Sequence, residues 1–427
     1  MAVKIVRQPK RIALIGAPTS AAALTAGHER APAALRAAGL VSQLQSAGFD
    51  VTDLGDCVTQ ISKPDEEHPR ARNIPALVAA LNDLKPRIEV AVKSGALPLI
   101  IGGDCSIALA TVAAARRYYR RVGFIYVDRD AGMNVPATTP SGCVDGMVIS
   151  HMTGRGAPEL VRFWGEPPLV REPDIILFGV DRMDPPEEQA LARSPIRRYR
   201  ASDVRSKGAA AVAEDAANHM HGDTYEFILH FDVDAISSSD FPASTYTGPG
   251  GLSFSDIQQA LAILASRKNV AALEVTTYNP SLDPDGASAR ALIELLVAVL
   301  TARLAALEAV APAASVPATA AEPEPTAHAA SAGGSGGPAA STAAETNEPS
   351  AELSAPEQSA NATPAPEAPR TEEVAPLGGP APSHQSEPAD IAESDDNFAT
   401  STDPNAASDS DSDDDHAHDG DSGPSQD

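Results

Sequence analysis

Short runs of β-branched and aliphatic residues alternate through residues 1–310 with longer alanine-rich stretches whose apolar positions recur every three or four residues. The runs at 12–17, 50–54, 97–102, 122–128, 174–180, 227–232 and 271–275 predict strands. They are bounded by Gly, Pro or Asp and are mostly apolar throughout, as strands covered on both faces are. The intervening stretches at 31–45, 74–94, 106–117, 209–220, 254–266 and 287–310 predict helices. Strand–helix alternation of this kind predicts an α/β fold, a parallel sheet with helices on both sides. No internal repeat is visible.

Composition changes the picture at residue 311. Residues 311–427 hold 23 of the 58 acidic residues, one basic residue (Arg370), one aromatic (Phe398) and 16 of the 37 prolines. The chain's formal charge is −26, so residues 1–310 are left close to neutral. A segment with so little to bury cannot offset the entropy of its own ordering. The expected organisation is therefore one globular domain, 1–310, followed by a disordered Ala/Pro/Ser-rich acidic tail, 311–427. The tail's SDSDSDDDHAHDGD run (408–421) reads as a solvated extension. Phosphorylation of its serines and loose metal binding at His416 and His418 are the alternatives.

Several classes are excluded. The longest uncharged apolar run near the end of the domain, 295–302, is far short of a membrane span. The opening MAVKIVRQPKR lacks the apolar stretch of a signal peptide. Three cysteines (Cys57, Cys105 and Cys143) without a CxxC pair indicate neither a disulfide framework nor a zinc ribbon. A cytoplasmic location follows by default. A near-neutral domain with an acidic tail argues against nucleic acid as a partner.

Ligands of open parallel sheets bind outside the carboxyl ends of the strands. Three predicted strands end in groups capable of chemistry: IIGGDC (100–105), FIYVDRD (124–130) and LHFDVD (229–234). Asp128 with Asp130, and Asp232 with Asp234, form two D-x-D pairs, each able to turn both carboxylates to one point. Four carboxylates in a small volume need a cation or retained protons. Oxygen donors of this kind favour Mg²⁺, Mn²⁺ or Ca²⁺ over zinc; the competing reading is that each pair caps a turn. Cys105 follows a double glycine that lets the backbone turn sharply, and reads as a soft ligand, as a reactive thiol lowered in pKa by a helix N-terminus, or as a small buried residue. His230 precedes the second pair and, by alternation, points away from Phe231 and packs under the sheet. No histidine stands out as a general base. Arg129 could supply a fixed positive charge, but an extended strand aims it to the opposite side.

At these residues the chain resembles the ureohydrolases, the family of arginase, agmatinase and formimidoylglutamase, with arginase nearest in loop phrasing. The resemblance runs through IGAPTS (15–20), GHERAPAALRAAGL (27–40), GFDVTDLGD (48–56), IIGGDCSIA (100–108) and FIYVDRDAGMN (124–134). It continues in TTPSGCVDG (138–146), FGVDRMDPPE (178–187), HFDVDAISSSDFPASTYTGPGGLS (230–253) and EVTTYNPSLD (274–283). It implies a three-layer α/β/α sandwich, assembled as a homo-oligomeric trimer or hexamer. It also implies two Mn²⁺ ions activating a hydroxide against a guanidinium carbon.

The ligand positions depart from that pattern. Cys105 and Asp130 stand where the family has histidines, and Gly132 where it has an aspartate; Asp128, Asp232 and Asp234 are kept. Asp145 matches the loop histidine that shuttles protons, so Asp128 and Asp145 are the catalytic candidates. Thr277 matches the glutamate that holds the guanidinium. The family's amino-acid-binding positions remain at Asn134, Ser141, Asp184 and Glu187. The resemblance thus implies a metal set of Cys105, Asp128, Asp130, Asp232 and Asp234 holding one manganese ion or none. The implied protein lacks ordinary arginase activity and serves as a ligand-binding or regulatory paralogue, with an amino-acid-like ligand or an active paralogue as partner in a mixed oligomer. The alternatives are a hydrolase of another linear C–N bond at an altered, mononuclear site, and an interaction protein acting through its tail.

Overall fold

The computed structural model of the chain describes residues 5–220, 225–246 and 248–310. The tail at 311–427, expected to be disordered, lies outside the described residues.

Eight strands form one sheet: β1 (Arg11–Ala17), β2 (Asp50–Asp56), β3 (Leu97–Gly102), β4 (Val122–Val127), β5 (Ile175–Val180), β6 (Arg197–Arg200), β7 (Glu226–Asp232) and β8 (Val270–Thr276). Their order is β2-β1-β3-β8-β7-β4-β5-β6, and every pairing is parallel. The apolar runs became strands because both faces are covered. On one face Leu14, Leu99, Val127, Phe178, Phe231 and Leu273 pack against α1 (Ala31–Ala37), α2 (Leu40–Ser46), α8 (Ala201–Lys207), α9 (Ala209–His219), α10 (Phe254–Ala265) and α11 (Ala287–Val310). On the other, Ile15, Ile100, Phe124, Leu177 and Ile228 pack against α3 (Ile74–Lys93), α4 (Ala108–Ala115), α5 (Val148–Met152) and α6 (Pro158–Val161). α7 (Pro185–Ala192) follows β5. This is the three-layer sandwich.

Three features differ from the expectation. The edge strand β6 has the sequence RRYR, so it carries no apolar run; charge on an edge strand blunts pairing with other chains. The stretch expected as one helix at 31–45 is two, because Gly39 sits at φ +95°, which ends α1 and restarts the chain as α2. The double glycine before Cys105 does not serve a left-handed turn. A side chain at Gly103 would place its Cβ 1.6 Å from the Thr19 carbonyl oxygen, so the requirement is close backbone approach.

Candidate functional site

Strand register builds the site. Tyr126 of β4 pairs with His230 of β7, which pairs with Glu274 of β8; one step further, Asp232 pairs with Thr276. Side chains two apart share a face, so His230 and Asp232 lie together, with Asp128 just past the end of β4. His230 thus points away from Phe231, as alternation predicts, but it sits beside Asp232 and does not merely pack under the sheet. Cys105 enters from the short turn after β3, where the Asp104 side chain accepts from Ser106 N and caps the turn. Cys105, Asp128, His230 and Asp232 are all buried.

On this side the carboxylates meet protein donors. Cys105 Sγ donates to Asp232 Oδ2 at 2.8 Å and lies 3.8 Å from Asp128 Oδ2. The Thr277 hydroxyl donates to Asp232 Oδ1, and the Asp234 amide reaches the same oxygen at 2.8 Å. Burial first, and the adjoining carboxylates next, hold the Cys105 thiol and the Asp128 and Asp232 carboxyls well above their ordinary values. His230 Nδ1 is 2.8 Å from Glu274 Oε2, its Nε2 is 3.2 Å from Thr276 Oγ1, and its ring stacks on Tyr126 at 4.8 Å between centroids. Glu274 Oε1 is buried without a hydrogen-bond partner.

The other side is organised by Arg182, which lies just beyond β5 and which the sequence did not single out. Its Nε and Nη2 donate to the two oxygens of Asp130 at 2.5 and 2.6 Å, and Nη2 also reaches Asp234 Oδ2 at 3.0 Å. Paired, near-parallel bonds of this kind fix geometry as well as charge. Burial opposes the guanidinium charge, but Asp130 and then Asp234 outweigh it, and Arg182 stays firmly protonated. Burial, then Asp130, raises Asp234 to about 6, with Arg182 pulling the other way. Arg129 turns away to the carbonyls of Gly248 and Pro249.

Above the acids opens a cavity of about 250 Å³ bounded by Asp130, Asn134, Ser141, Asp145, Arg182, Asp184, Glu187 and Tyr246. Asn134 Nδ2 donates to Asp184 Oδ2 at 2.8 Å. Glu187 is occupied by backbone: it accepts from Met133 N at 2.8 Å, Asn134 N at 3.1 Å and Asp184 N at 2.9 Å. Asp145 accepts from Cys105 N at 2.8 Å. Cys105, Asp128, Asp232, Asp234 and Thr277 lie beneath and do not border the cavity. The residues expected to bind an amino acid therefore line the opening, except Thr277, and those expected to bind metal lie under it, except Asp130.

Two donor groups emerge among the described residues. Cys105, Asp128, His230 and Asp232 offer ligand atoms within 4.8 Å of one another, and so do Asp128, Asp130 and Asp234. The second group does not fit an ion as it stands, because Arg182 already holds Asp130 and Asp234. Gly132 adds no donor; its φ of +62° is one that side chains rarely adopt.

The family model described as the arginase family matches residues 10–301. The arginase of Bacillus caldovelox is 30% identical over 291 residues, covering 67% of this chain and 97% of that protein. Its solved structure superimposes with a TM-score of 0.63 at 28% identity, covering 68% of this chain and 98% of that one. The crystal structure of Bacillus cereus arginase gives a TM-score of 0.61 at 26% identity, with the same coverage of 68% and 98%. Among the described residues no helix is long and apolar enough to cross a membrane.

Proposed function

The chain belongs to the arginase family, and from that premise we propose that it is a member without ordinary arginase turnover, acting as an amino-acid-binding or regulatory paralogue. The observation that carries this reading is the Arg182 fork. A guanidinium bonded to Asp130 at 2.5 Å and to Asp234 at 3.0 Å holds the carboxylates that a second manganese ion would need. A binuclear hydroxide depends on two ions lowering the pKa of one water, and with one subsite filled by an arginine that activation is lost. What persists is the cavity, where Asn134, Ser141 and Asp184 present polar groups of the kind that hold an α-carboxylate and α-amino group. In this reading 1–310 is the ligand-binding domain, 311–427 an accessory tail, and the protein a cytoplasmic homo-oligomer or the partner of an active paralogue.

A second reading is supported by the intact group of Cys105, Asp128, His230 and Asp232: a hydrolase of another linear C–N bond working at one ion. Metal analysis after incubation with Mn²⁺, together with urea release from arginine and agmatine, tests both. The first reading expects fewer than two manganese ions per chain, no urea, and a thermal shift with arginine. Two bound ions with turnover would end it.

A further inference from the structure

The histidine set aside by the sequence has the surroundings of a metal ligand. A ligating imidazole commonly passes its other ring N–H to a carboxylate, which fixes the tautomer and aims the free nitrogen at the ion. His230 has that arrangement: Nδ1 is 2.8 Å from Glu274 Oε2, and both residues are fully buried. His230 offers a ring nitrogen within 4.8 Å of Cys105 Sγ and of an oxygen each from Asp128 and Asp232, and its Nε2, 3.2 Å from the Thr276 hydroxyl, would exchange that contact for the ion. Glu274 itself keeps one buried oxygen without a partner, so its presence is not accounted for by hydrogen bonding alone.

We propose that Cys105, Asp128, His230 and Asp232 form a single-ion site for a zinc-class cation, with Glu274 orienting His230. The chemistry of the donors selects the class. Thiolate and imidazole favour Zn²⁺ over the manganese preferred by an all-carboxylate set, and one sulfur, one nitrogen and two oxygens complete a tetrahedral shell. All four side chains are buried and come from three places on the sheet: the turn after β3, the end of β4, and β7. A fully ligated, buried ion of this kind ties those elements together, as structural zinc does. The group stands apart from the Asp130–Asp234 side, which Arg182 occupies. The inference rests on the reading that this second side takes no ion.

Cobalt is the probe, because a cobalt–thiolate bond absorbs in the near ultraviolet and tetrahedral cobalt absorbs strongly in the visible. Full-length protein stripped with chelator and titrated with Co²⁺ should bind one ion per chain with both signatures, and Zn²⁺ should displace it. Cys105→Ser should abolish the thiolate band while Cys57 and Cys143 remain. Glu274→Gln, which preserves shape, should weaken Co²⁺ binding about 10- to 100-fold, and His230→Gln at least as much, with circular dichroism reporting the fold. Zn²⁺ should also raise the unfolding temperature of the wild type in a concentration-dependent way. Absence of the thiolate band in the wild type, or its survival in Cys105→Ser, overturns the proposal even where a variant folds poorly. If the band is absent and arginine still yields no urea, this site fails and the function reading stands; if urea appears with two manganese ions, the function reading fails by itself.

Discussion

The two D-x-D pairs look alike in the sequence, yet the two sides of the site they build are neutralised in opposite ways. Asp130 and Asp234 face a permanent cation, with Arg182 bonded to both. Asp128 and Asp232 face a thiol, a hydroxyl and a histidine, and burial drives their carboxyls toward the protonated form. The pair on β7 is split between them: Asp232 turns to Cys105 and Asp234 to Arg182. A carboxylate motif at a strand end thus fixes where negative charge gathers. What the neighbouring loops set opposite decides whether the charge is matched by an arginine, a proton or an ion.

The sharpest way to break this comparison is to reverse the cation. Removing one partner of a buried pair typically costs 3–5 kcal/mol, and Arg182→Asp adds repulsion to that loss. The Arg182 and Asp130 side chains remain 37% and 34% exposed, which screens part of the cost, whereas Asp234 is 2% exposed. The expected destabilisation is about 3 kcal/mol in urea unfolding, with Arg182→Lys losing about half as much because charge survives and the fork does not. An Arg182→Asp protein as stable as the wild type would mean that the guanidinium is not the counter-charge.

An effect of comparable size lies on the cavity wall of the same side. Burial lifts Glu187 from 4.5 to about 7, outweighing the amides of Asp184 and Met133 that favour its charged form. The folded chain therefore keeps a proton that the unfolded chain releases. Stability from this group is complete below about pH 4.5 and is lost as pH rises through about 7. Glu187→Gln, which carries no proton to lose, should flatten the wild-type decline across that window by about 3 kcal/mol in thermal or urea unfolding. A decline equally steep in the variant would assign the slope to other groups.

The reach of the sequence follows the same division. The strands around the site were legible because their apolar runs are long, and both D-x-D pairs were legible as acids at strand ends, although only Asp232 lies within a strand and the members of each pair turn to different partners. β6 was not, since its arginines read as surface. Arg182 escaped because its role depends on β5 lying beside β4, where Asp130 and Arg182 form a bridge. A basic residue just past a strand at the edge that gathers four acids was the available signal. His230 was within reach: it is two residues from Asp232, which places both on one face, and only its pairing with Glu274 needed the register of β8. Thr277 was noticed for a family position, and its contact with Asp232 comes from a backbone angle that no sequence pattern announces.

That angle makes Thr277 the finest test of the thiol side. Its φ is +61°, a region costly for a β-branched residue, and its amide is fixed on Gly103 O at 2.8 Å. The strain is held together with a hydroxyl that donates to Asp232. Thr277→Val keeps the branching, and with it the backbone cost, so the difference between the two proteins isolates the donor. Losing one hydrogen bond to a buried acceptor that still has Cys105 and the Asp234 amide should cost about 1 kcal/mol in unfolding measurements on the metal-free protein. If the cost instead approaches that of Arg182→Asp, Asp232 is carried as a bare charge and not as a hydrogen-bonded acid, and the contrast between the two sides disappears.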